Sequence, residues 1–132
     1  MGTEQEILDS CHVVAIVGLS SDMDRPSHHV GSYLKTQGYK IIPVNPTEKS
    51  VLGEACYADL TAIPDKVDVV DIFRRSDAVM PIVEEAIKIG AKAVWMQEGI
   101  VNEVAGKRAR EAGLKVVMDK CMLKEHRRLH WQ

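Results

Sequence analysis

The side chains best suited to bind an anion lie in one short stretch between a predicted strand and a predicted helix. Five apolar residues, 13–17, run into Gly18, and a polar loop then leads to a helix that begins near Pro26. The loop contributes hydroxyl groups and one guanidinium, from Ser20, Ser21, Arg25 and Ser27. Such groups, together with the free N–H groups of a helix start, bind phosphate. The stretch Gly18–Ser27 therefore predicts a phosphate-binding loop.

Further cationic side chains follow the next two predicted strands. Lys49 comes after the second strand, and Arg74 and Arg75 come directly after the third. Lysine can contact a phosphate as a point charge and arginine as a planar fork. Two interpretations stay open for each of these side chains, a ligand contact or a solvated surface charge.

Several familiar chemistries are disfavoured. The dinucleotide fingerprint Gly-x-Gly-x-x-Gly is not present, because Gly18 is followed by Leu19, Ser20 and Ser21. Asn45 ends the second strand where an acid would bind a ribose hydroxyl, and no Walker loop occurs. NAD is therefore disfavoured, and no metal-ligand spacing is found.

A catalytic group is not evident. Cys121 follows the fifth predicted strand, and the adjacent Lys120 could lower its pKa, but an inert cysteine is the favoured interpretation. His28 and His29 are interpreted as loop-capping or solvated residues. Trp95 is expected in the core, with Cys11 and Cys56 as packing residues.

Strand patterns alternate with helix patterns along the chain. Five apolar runs predict strands, at 13–17, 39–44, 67–73, 91–96 and 116–118. Helices are predicted between them, the last after Asn102, and a short helix is predicted over 122–132 with Leu123 and Leu129 inward. Residues 47–64 are expected to be irregular and to dock at Gly53, Tyr57 and Leu60.

This alternation predicts one α/β domain over residues 1–132, with a doubly wound, parallel, five-stranded sheet in the order 3-2-1-4-5. The strand-to-helix loops of such a sheet meet at one edge, where ligands bind at the reversal of strand order. The segments at that edge would be 18–27, 45–49, 73–75, 97–100 and 119–121.

Composition is consistent with a soluble cytoplasmic domain. The 132 residues are 45% hydrophobic and 27% charged, and the net charge of −2 gives no reason to expect nucleic acid or an acidic membrane as a partner. No apolar run approaches the ~20 residues that span a bilayer. The three cysteines are odd in number and unclustered, which suits reduced thiols. A homodimer or a protein partner stays open.

Five separate loops carry a family resemblance. They include Val-Gly-Leu-Ser with Arg-Pro-Ser, Ile-Pro-Val-Asn-Pro, Val-Asp-Ile-Phe-Arg-Arg, Val-Trp-Met-Gln-Glu-Gly-Ile and Val-Val-Met-Asp-Lys-Cys. Over residues 7–129 the chain resembles the small stand-alone coenzyme A-binding proteins, which are similar to the N-terminal domain of the succinyl-CoA synthetase α subunit. It contains neither the phosphorylated-histidine domain nor the nucleotide-grasp subunit of that enzyme.

The resemblance implies a Rossmann-like fold that binds coenzyme A or an acyl-CoA, and it implies a role for each loop. Gly18, Leu19 and Ser20 would cradle the diphosphate, assisted by Arg25 and Ser27. The adenosine would be bordered by Val44, Asn45 and Pro46, with Lys49 near the 3′-phosphate. Phe73 and Arg74 would close over the adenine region. The pantetheine path would be lined by Gln97, Glu98, Gly99 and Ile100.

The function expected from these observations is a non-enzymatic CoA-binding, sensor or carrier module. One alternative is an enzyme that acts on a CoA thioester or CoA disulfide through Cys121. Another is a binder of a different nucleotide such as NAD, which rests on fold analogy alone.

Overall fold

The computed structural model describes residues 2–130, which form helices and strands in alternation after a first helix. The α-helices are α1 (Thr3–Ser10), α2 (Pro26–Thr36), α3 (Val79–Lys88), α4 (Glu103–Glu111) and α5 (Met122–His130). The strands are β1 (Val13–Val17), β2 (Lys40–Val44), β3 (Ser50–Val51), β4 (Glu54–Ala55), β5 (Val69–Ile72), β6 (Ala93–Met96) and β7 (Lys115–Val117). Short 3₁₀ turns cover Leu60–Ala62 and Ser76–Ala78.

Five of these strands form one parallel sheet in the order β2-β1-β5-β6-β7. The strands β1, β5 and β6 are buried on both faces and are apolar except for Asp71 in β5, as expected for a parallel sheet covered by helices. The predicted α/β class with a parallel, doubly wound, five-stranded sheet is confirmed.

The predicted strand order is wrong in one respect. When only the five strands of the main sheet are numbered in chain order, the observed order is 2-1-3-4-5, whereas the predicted order is 3-2-1-4-5. The difference is that β5 lies between β1 and β6 instead of outside β2. The reversal of strand order therefore lies between β1 and β5. Both orders obey the right-handed crossover rule, so the alternation of elements alone does not distinguish them.

Pro43 explains why β2 is at the edge. Proline has no N–H to donate to a ladder, so it is tolerated on an edge strand and not in the middle of a sheet. In β2 it lies opposite Ile16 of β1. On the outer side, its carbonyl accepts the N–H of Tyr57 at 3.0 Å, and Asn45 donates its N–H to the Tyr57 carbonyl at 2.9 Å. The proline was the sequence signal for the correct order.

The helices cover both faces of the sheet. Helices α3 and α4 pack on one face through small and branched residues, including Val79, Val83, Ala105 and Ala109. Helices α1, α2 and α5 pack on the other face with Ile7, Leu34 and Met122. Each face of the sheet thus has its own apolar cluster, and the carboxyl edge between the layers is left open to ligands.

Most predicted boundaries hold within one or two residues. Helix α2 begins at Pro26, and the Asn102 side chain caps α4 by accepting the N–H of Ala105 at 3.0 Å. Helix α1 was not predicted. Residues 47–64 are less irregular than expected, since β3 and β4 form a small antiparallel hairpin.

Two other expectations about packing have mixed outcomes. Leu60 is buried and Tyr57 is partly buried against the core, but Gly53 lies exposed in the hairpin turn with φ +77°. The C-terminal helix is present as far as His130, with Leu123 and Leu129 partly buried. Residues 131 and 132 of the predicted helix lie outside the described residues. No helix within residues 2–130 has the length and apolar character needed to cross a bilayer.

Candidate functional site

The loops after β1 and β5 meet at the reversal of strand order. Phe73 donates its N–H to the Val17 carbonyl at 2.9 Å, and Gly18 donates to the Val44 carbonyl at 2.8 Å. Gly18 has φ +92°, and a Cβ atom there would overlap the carbonyl oxygen of Phe73. Only glycine therefore permits this approach of the two loops.

A cavity of 460 Å³ opens above this junction. Its lining comes from the loops after β1, β2, β5 and β6, namely Gly18, Ser20, Arg25, Pro26, Ser27, Asn45, Phe73, Arg74, Arg75 and Ile100. Its size falls in the range of sites for small ligands, roughly 300–1,000 Å³. Eight of the residues predicted to bind the ligand are thus brought to one cavity.

Ser20 and Ser27 are placed to donate to an anion. Ser27 Oγ accepts the N–H of Ser20 at 3.1 Å, and Ser20 Oγ accepts the N–H of Asp22 at 3.0 Å. A hydroxyl that accepts such a bond still has its own proton to donate. Both serines line the cavity, so two hydroxyl groups that can still donate a proton are available there.

Ser21 is held differently. Its N–H and its hydroxyl both donate to Oε2 of Glu48, at 2.9 and 2.7 Å. These hydrogen bonds lower the pKa of Glu48, so its carboxylate stays charged. The single hydroxyl proton of Ser21 is committed to Glu48, and Ser21 does not line the cavity. Ser21 and Glu48 therefore fix the loop, a role that the sequence analysis did not anticipate.

Three arginines give the cavity its positive charge. Arg25 is paired with Asp22 at 3.8 Å and Arg75 with Asp77 at 3.5 Å, but both pairs are exposed and therefore weak. Arg74 is partly buried and makes no ion pair within residues 2–130. Its guanidinium is the cation most available to a bound anion.

Leu19 and Asn45 join the first two loops beneath the cavity. The Leu19 side chain is fully buried in the core, so only its backbone can approach a ligand. Its carbonyl accepts Nδ2 of the buried Asn45 at 3.2 Å, and Asn45 Oδ1 accepts both the N–H and the hydroxyl of Thr47. Asn45 therefore serves the geometry of both loops.

A second cavity of 250 Å³ adjoins the first across Arg74. It is mostly apolar and is lined by Val17, Val44, Pro46, Ala58, Asp59, Leu60, Arg74, Ala78, Ile82 and Glu85. The predicted residues Val44 and Pro46 are in this cavity rather than in the first. Lys49 is exposed and lines neither of the two.

The segment after β6 is fixed by hydrogen bonds, and only its end reaches the first cavity. Gln97 is buried, and its Oε1 accepts the N–H of Met122 at 3.3 Å. Glu98 pairs with Lys124 at 3.0 Å, and Gly99 donates its N–H to Asp119 at 2.7 Å. Ile100 is the residue of this segment that lines the cavity.

The groups considered for catalysis have structural partners. Burial raises the pKa of the Cys121 thiol, and Lys120 is directed to Glu4, with Nζ 3.3 Å from Oε1. The idea that Lys120 lowers the pKa of Cys121 is therefore wrong. His28 bonds the Ser20 carbonyl at 3.0 Å and His29 the Met23 carbonyl at 2.7 Å, which confirms their loop-capping role.

Trp95 and Asp71 lie side by side in the sheet beneath the site. Trp95 is fully buried and donates Nε1–H to the Lys120 carbonyl at 2.8 Å, as a core residue. Asp71, its neighbour in the register, is fully buried, and neither carboxyl oxygen has a hydrogen-bond partner within the described chain. Burial raises the pKa of Asp71 well above its usual value. From the sequence, Asp71 was predicted only as part of the third strand.

Comparison with known proteins shows which family the chain belongs to. The family model described as "CoA binding domain" matches residues 12–127. The chain is 40% identical over 122 residues to a Bacillus subtilis protein described as "Uncharacterized protein YneT", which covers 92% of this chain and 90% of that protein.

Two further proteins extend the comparison. A solved structure described as a hypothetical protein from Pyrococcus horikoshii OT3 superposes with a TM-score of 0.94 at 44% identity, over 98% of this chain and 92% of the other. The ADP-forming acetate–CoA ligase II of Archaeoglobus fulgidus is 33% identical over 93 residues, 68% of this chain. The matched region is only 14% of that ligase.

Proposed function

The chain belongs to the family of CoA-binding domains, and we propose that it binds coenzyme A or an acyl-CoA at the carboxyl edge of its sheet. The observation that carries the proposal is the pair of cavities on either side of Arg74. One is lined by hydroxyl and cationic groups and the other is mostly apolar. Coenzyme A has this division too, with charged phosphates next to a flat base.

The first cavity suits the diphosphate. Ser20 and Ser27 supply O–H donors, and Arg25 and Arg74 supply positive charge. Charge-assisted hydrogen bonds to phosphate oxygens are short and strong, and the guanidinium is able to form two at once. Arg75, at the exposed rim, adds to the attraction of a polyanion.

The second cavity suits the adenosine, and the rim at Ile100 suits the start of the pantetheine arm. Val44 and Pro46 line the second cavity, while Arg74 faces both cavities and so connects the two ends of the nucleotide. Glu98 is neutralised by Lys124, which leaves the 97–100 segment without an unpaired negative charge. We also propose that Lys49 contacts the 3′-phosphate, although it is exposed and lines neither cavity.

The role we propose is that of a binding, sensor or carrier module rather than an enzyme. The raised pKa of Cys121 keeps its thiol protonated near neutral pH, which makes it a weak nucleophile. His28 and His29 are bonded to loop carbonyls through one ring nitrogen each.

We also propose that the protein is cytoplasmic, since a reducing compartment suits three free cysteines.

The proposal is tested by calorimetric titration of the reduced protein with coenzyme A. Wild type is expected to bind at micromolar concentration or tighter. Arg74→Ala is expected to weaken binding about tenfold or more, because a hydrogen bond to a charged group contributes roughly 1.5–3 kcal/mol.

Arg110→Ala is the matched control, since Arg110 is exposed in the last turn of α4. It is expected to bind like wild type. Wild-type protein that does not bind coenzyme A, or an Arg74→Ala variant that binds as well as wild type, would refute the proposed site. Release of free thiol from acetyl-CoA would instead identify an enzyme, with Cys121→Ser as the next variant.

A further inference from the structure

The second cavity contains an acidic side chain that the phosphate-binding part of the site does not use. We propose that Glu85 recognises the exocyclic amine of an adenine ring in this cavity and so selects adenine nucleotides over their deaminated analogues. The inference rests on the proposed function and deepens it. The 250 Å³ volume is below the roughly 300–1,000 Å³ typical of a whole ligand site, so this cavity suits one part of a larger molecule.

The walls of the cavity fit a flat, weakly polar ring. Branched and small apolar side chains form most of the lining, from Val17, Val44, Pro46, Ala58, Leu60, Ala78 and Ile82. Contact with such walls favours an aromatic base over a sugar or a phosphate. Arg74 lines both cavities, and a guanidinium at such a boundary can stack on an aromatic ring.

Glu85 is oriented by the backbone. Its Oε1 accepts the N–H of Leu60, at the start of the Leu60–Ala62 turn, at 3.0 Å. No hydrogen bond from any residue between 2 and 130 reaches its Oε2, and no ion pair among those residues involves Glu85. The side chain is partly buried, so a carboxylate oxygen with spare acceptor capacity lies in a mostly apolar cavity.

The other acid in the lining, Asp59, differs from Glu85 because it is exposed to solvent. Asp59 Oδ1 accepts the Thr61 hydroxyl at 2.6 Å and the N–H of Ala62 at 3.1 Å, as the cap of the same turn. These hydrogen bonds lower the pKa of Asp59, and water can solvate the rest of its exposed carboxylate. Glu85 is partly buried in the mostly apolar cavity, where an acceptor without a partner gains more from a ligand N–H.

The chemistry of a carboxylate defines what it can select. An ionised carboxylate only accepts hydrogen bonds, so it pairs with the amine at position 6 of adenine. Hypoxanthine carries a carbonyl oxygen at that position, which would face the carboxylate with two acceptors and no proton. The cavity should therefore discriminate between the two bases at this one position.

The experiment measures coenzyme A and its deaminated analogue, in which hypoxanthine replaces adenine, by calorimetric titration of three proteins. These are wild type, Glu85→Gln and the control Glu84→Gln. Glu84 is the neighbouring acid on α3, but it is exposed and pairs with Arg108 at 2.9 Å. Glutamine at 85 can keep the bond from Leu60 through its amide oxygen while its NH₂ group faces the ring.

Wild type and Glu84→Gln are expected to prefer coenzyme A over the analogue by about tenfold or more. Glu85→Gln is expected to lose affinity for coenzyme A and to gain affinity for the analogue, a reversal that partial unfolding would not produce. If Glu85→Gln binds coenzyme A and retains the wild-type preference, the inference is overturned while the proposed function stands. If wild type does not bind coenzyme A at all, the proposed function fails first and the inference with it.

Discussion

Asp71 lies in the centre of the sheet, opposite Ile16 of β1 and Trp95 of β6. Its carboxyl group is fully buried and has no hydrogen-bond partner among residues 2–130. An ionised carboxylate in such surroundings is very costly, so the group keeps its proton instead. Burial is the main cause of the pKa of Asp71 rising well above its usual value.

This carboxyl makes the stability of the fold depend on pH with a definite sign. In the unfolded chain it ionises at a pKa of about 3.9, whereas in the folded chain it stays protonated to much higher pH. Between these two pKa values the folded state binds one proton more, so the free energy of unfolding falls as pH rises. The stability contributed by the proton is complete below the unfolded pKa and is lost as pH rises through the folded pKa.

Asp71→Asn is therefore expected to remove this dependence. Relative to wild type, the free energy of unfolding of the variant should increase with pH by about 1.4 kcal/mol per unit within the window. Urea denaturation at pH 5 and pH 7 measures it. Asp65→Asn, at an exposed acid that pairs with Lys40 at 2.8 Å, is the control and should show little such trend. Parallel pH profiles for wild type and Asp71→Asn would contradict a protonated Asp71.

At this scale, the sequence predicted side chains whose chemistry is visible from their type and neighbours. Ser20, Ser27 and Arg25 were predicted because hydroxyl and guanidinium groups next to a helix start indicate anion binding. Glu48 and Glu85 were not, because their roles depend on partners 27 and 25 positions away in the chain. Long-range contacts of this kind have no local sequence signature.

At the element scale, the junction between the loops after β1 and β5 sets the shape of the site. Gly18 packs against the Phe73 backbone, and any side chain at 18 would push the loops apart. Because both loops line the first cavity, a change here should affect ligand binding as well as stability.

Gly18→Ala is expected to destabilise the fold more than Gly38→Ala does. Both glycines have a positive φ, of +92° and +94°, so each alanine costs about 1–2 kcal/mol in backbone strain. Only Gly18 adds a clash with backbone, since a Cβ at Gly38 meets nothing within 4 Å, and overpacking adds about 1–3 kcal/mol. Thermal unfolding of both variants measures the difference. Equal losses of stability would show that the two loops are not in close contact.

The elements themselves were largely predictable, while their order was not. Hydrophobic runs and glycine stops located β1, β2, β5, β6 and β7 within a few residues. Strand order depends on how the long connection from β2 to β5 passes the sheet, which local patterns do not determine. Pro43 was the one local signal that favoured an edge position for β2. Helix α1 was not predicted because Thr3–Ser10 buries only Ile7 and Leu8, two adjacent residues that form no helical periodicity.

At the scale of the whole molecule, one layered α/β sheet brings the charged and the apolar cavity to the same edge. The family model covers residues 12–127, and the same kind of region makes up 14% of an ADP-forming acetate–CoA ligase. The family and the resemblance expected from five loops are thus confirmed.

The most direct test is a crystal structure of the protein grown with coenzyme A. Diphosphate oxygens are expected within hydrogen-bond distance of Ser20 Oγ and Ser27 Oγ, and the guanidinium of Arg74 is expected beside the nucleotide. The base should lie in the cavity lined by Val44 and Pro46. Coenzyme A bound away from the carboxyl edge of the sheet, or crystals without bound ligand at saturating concentration, would contradict the proposed site.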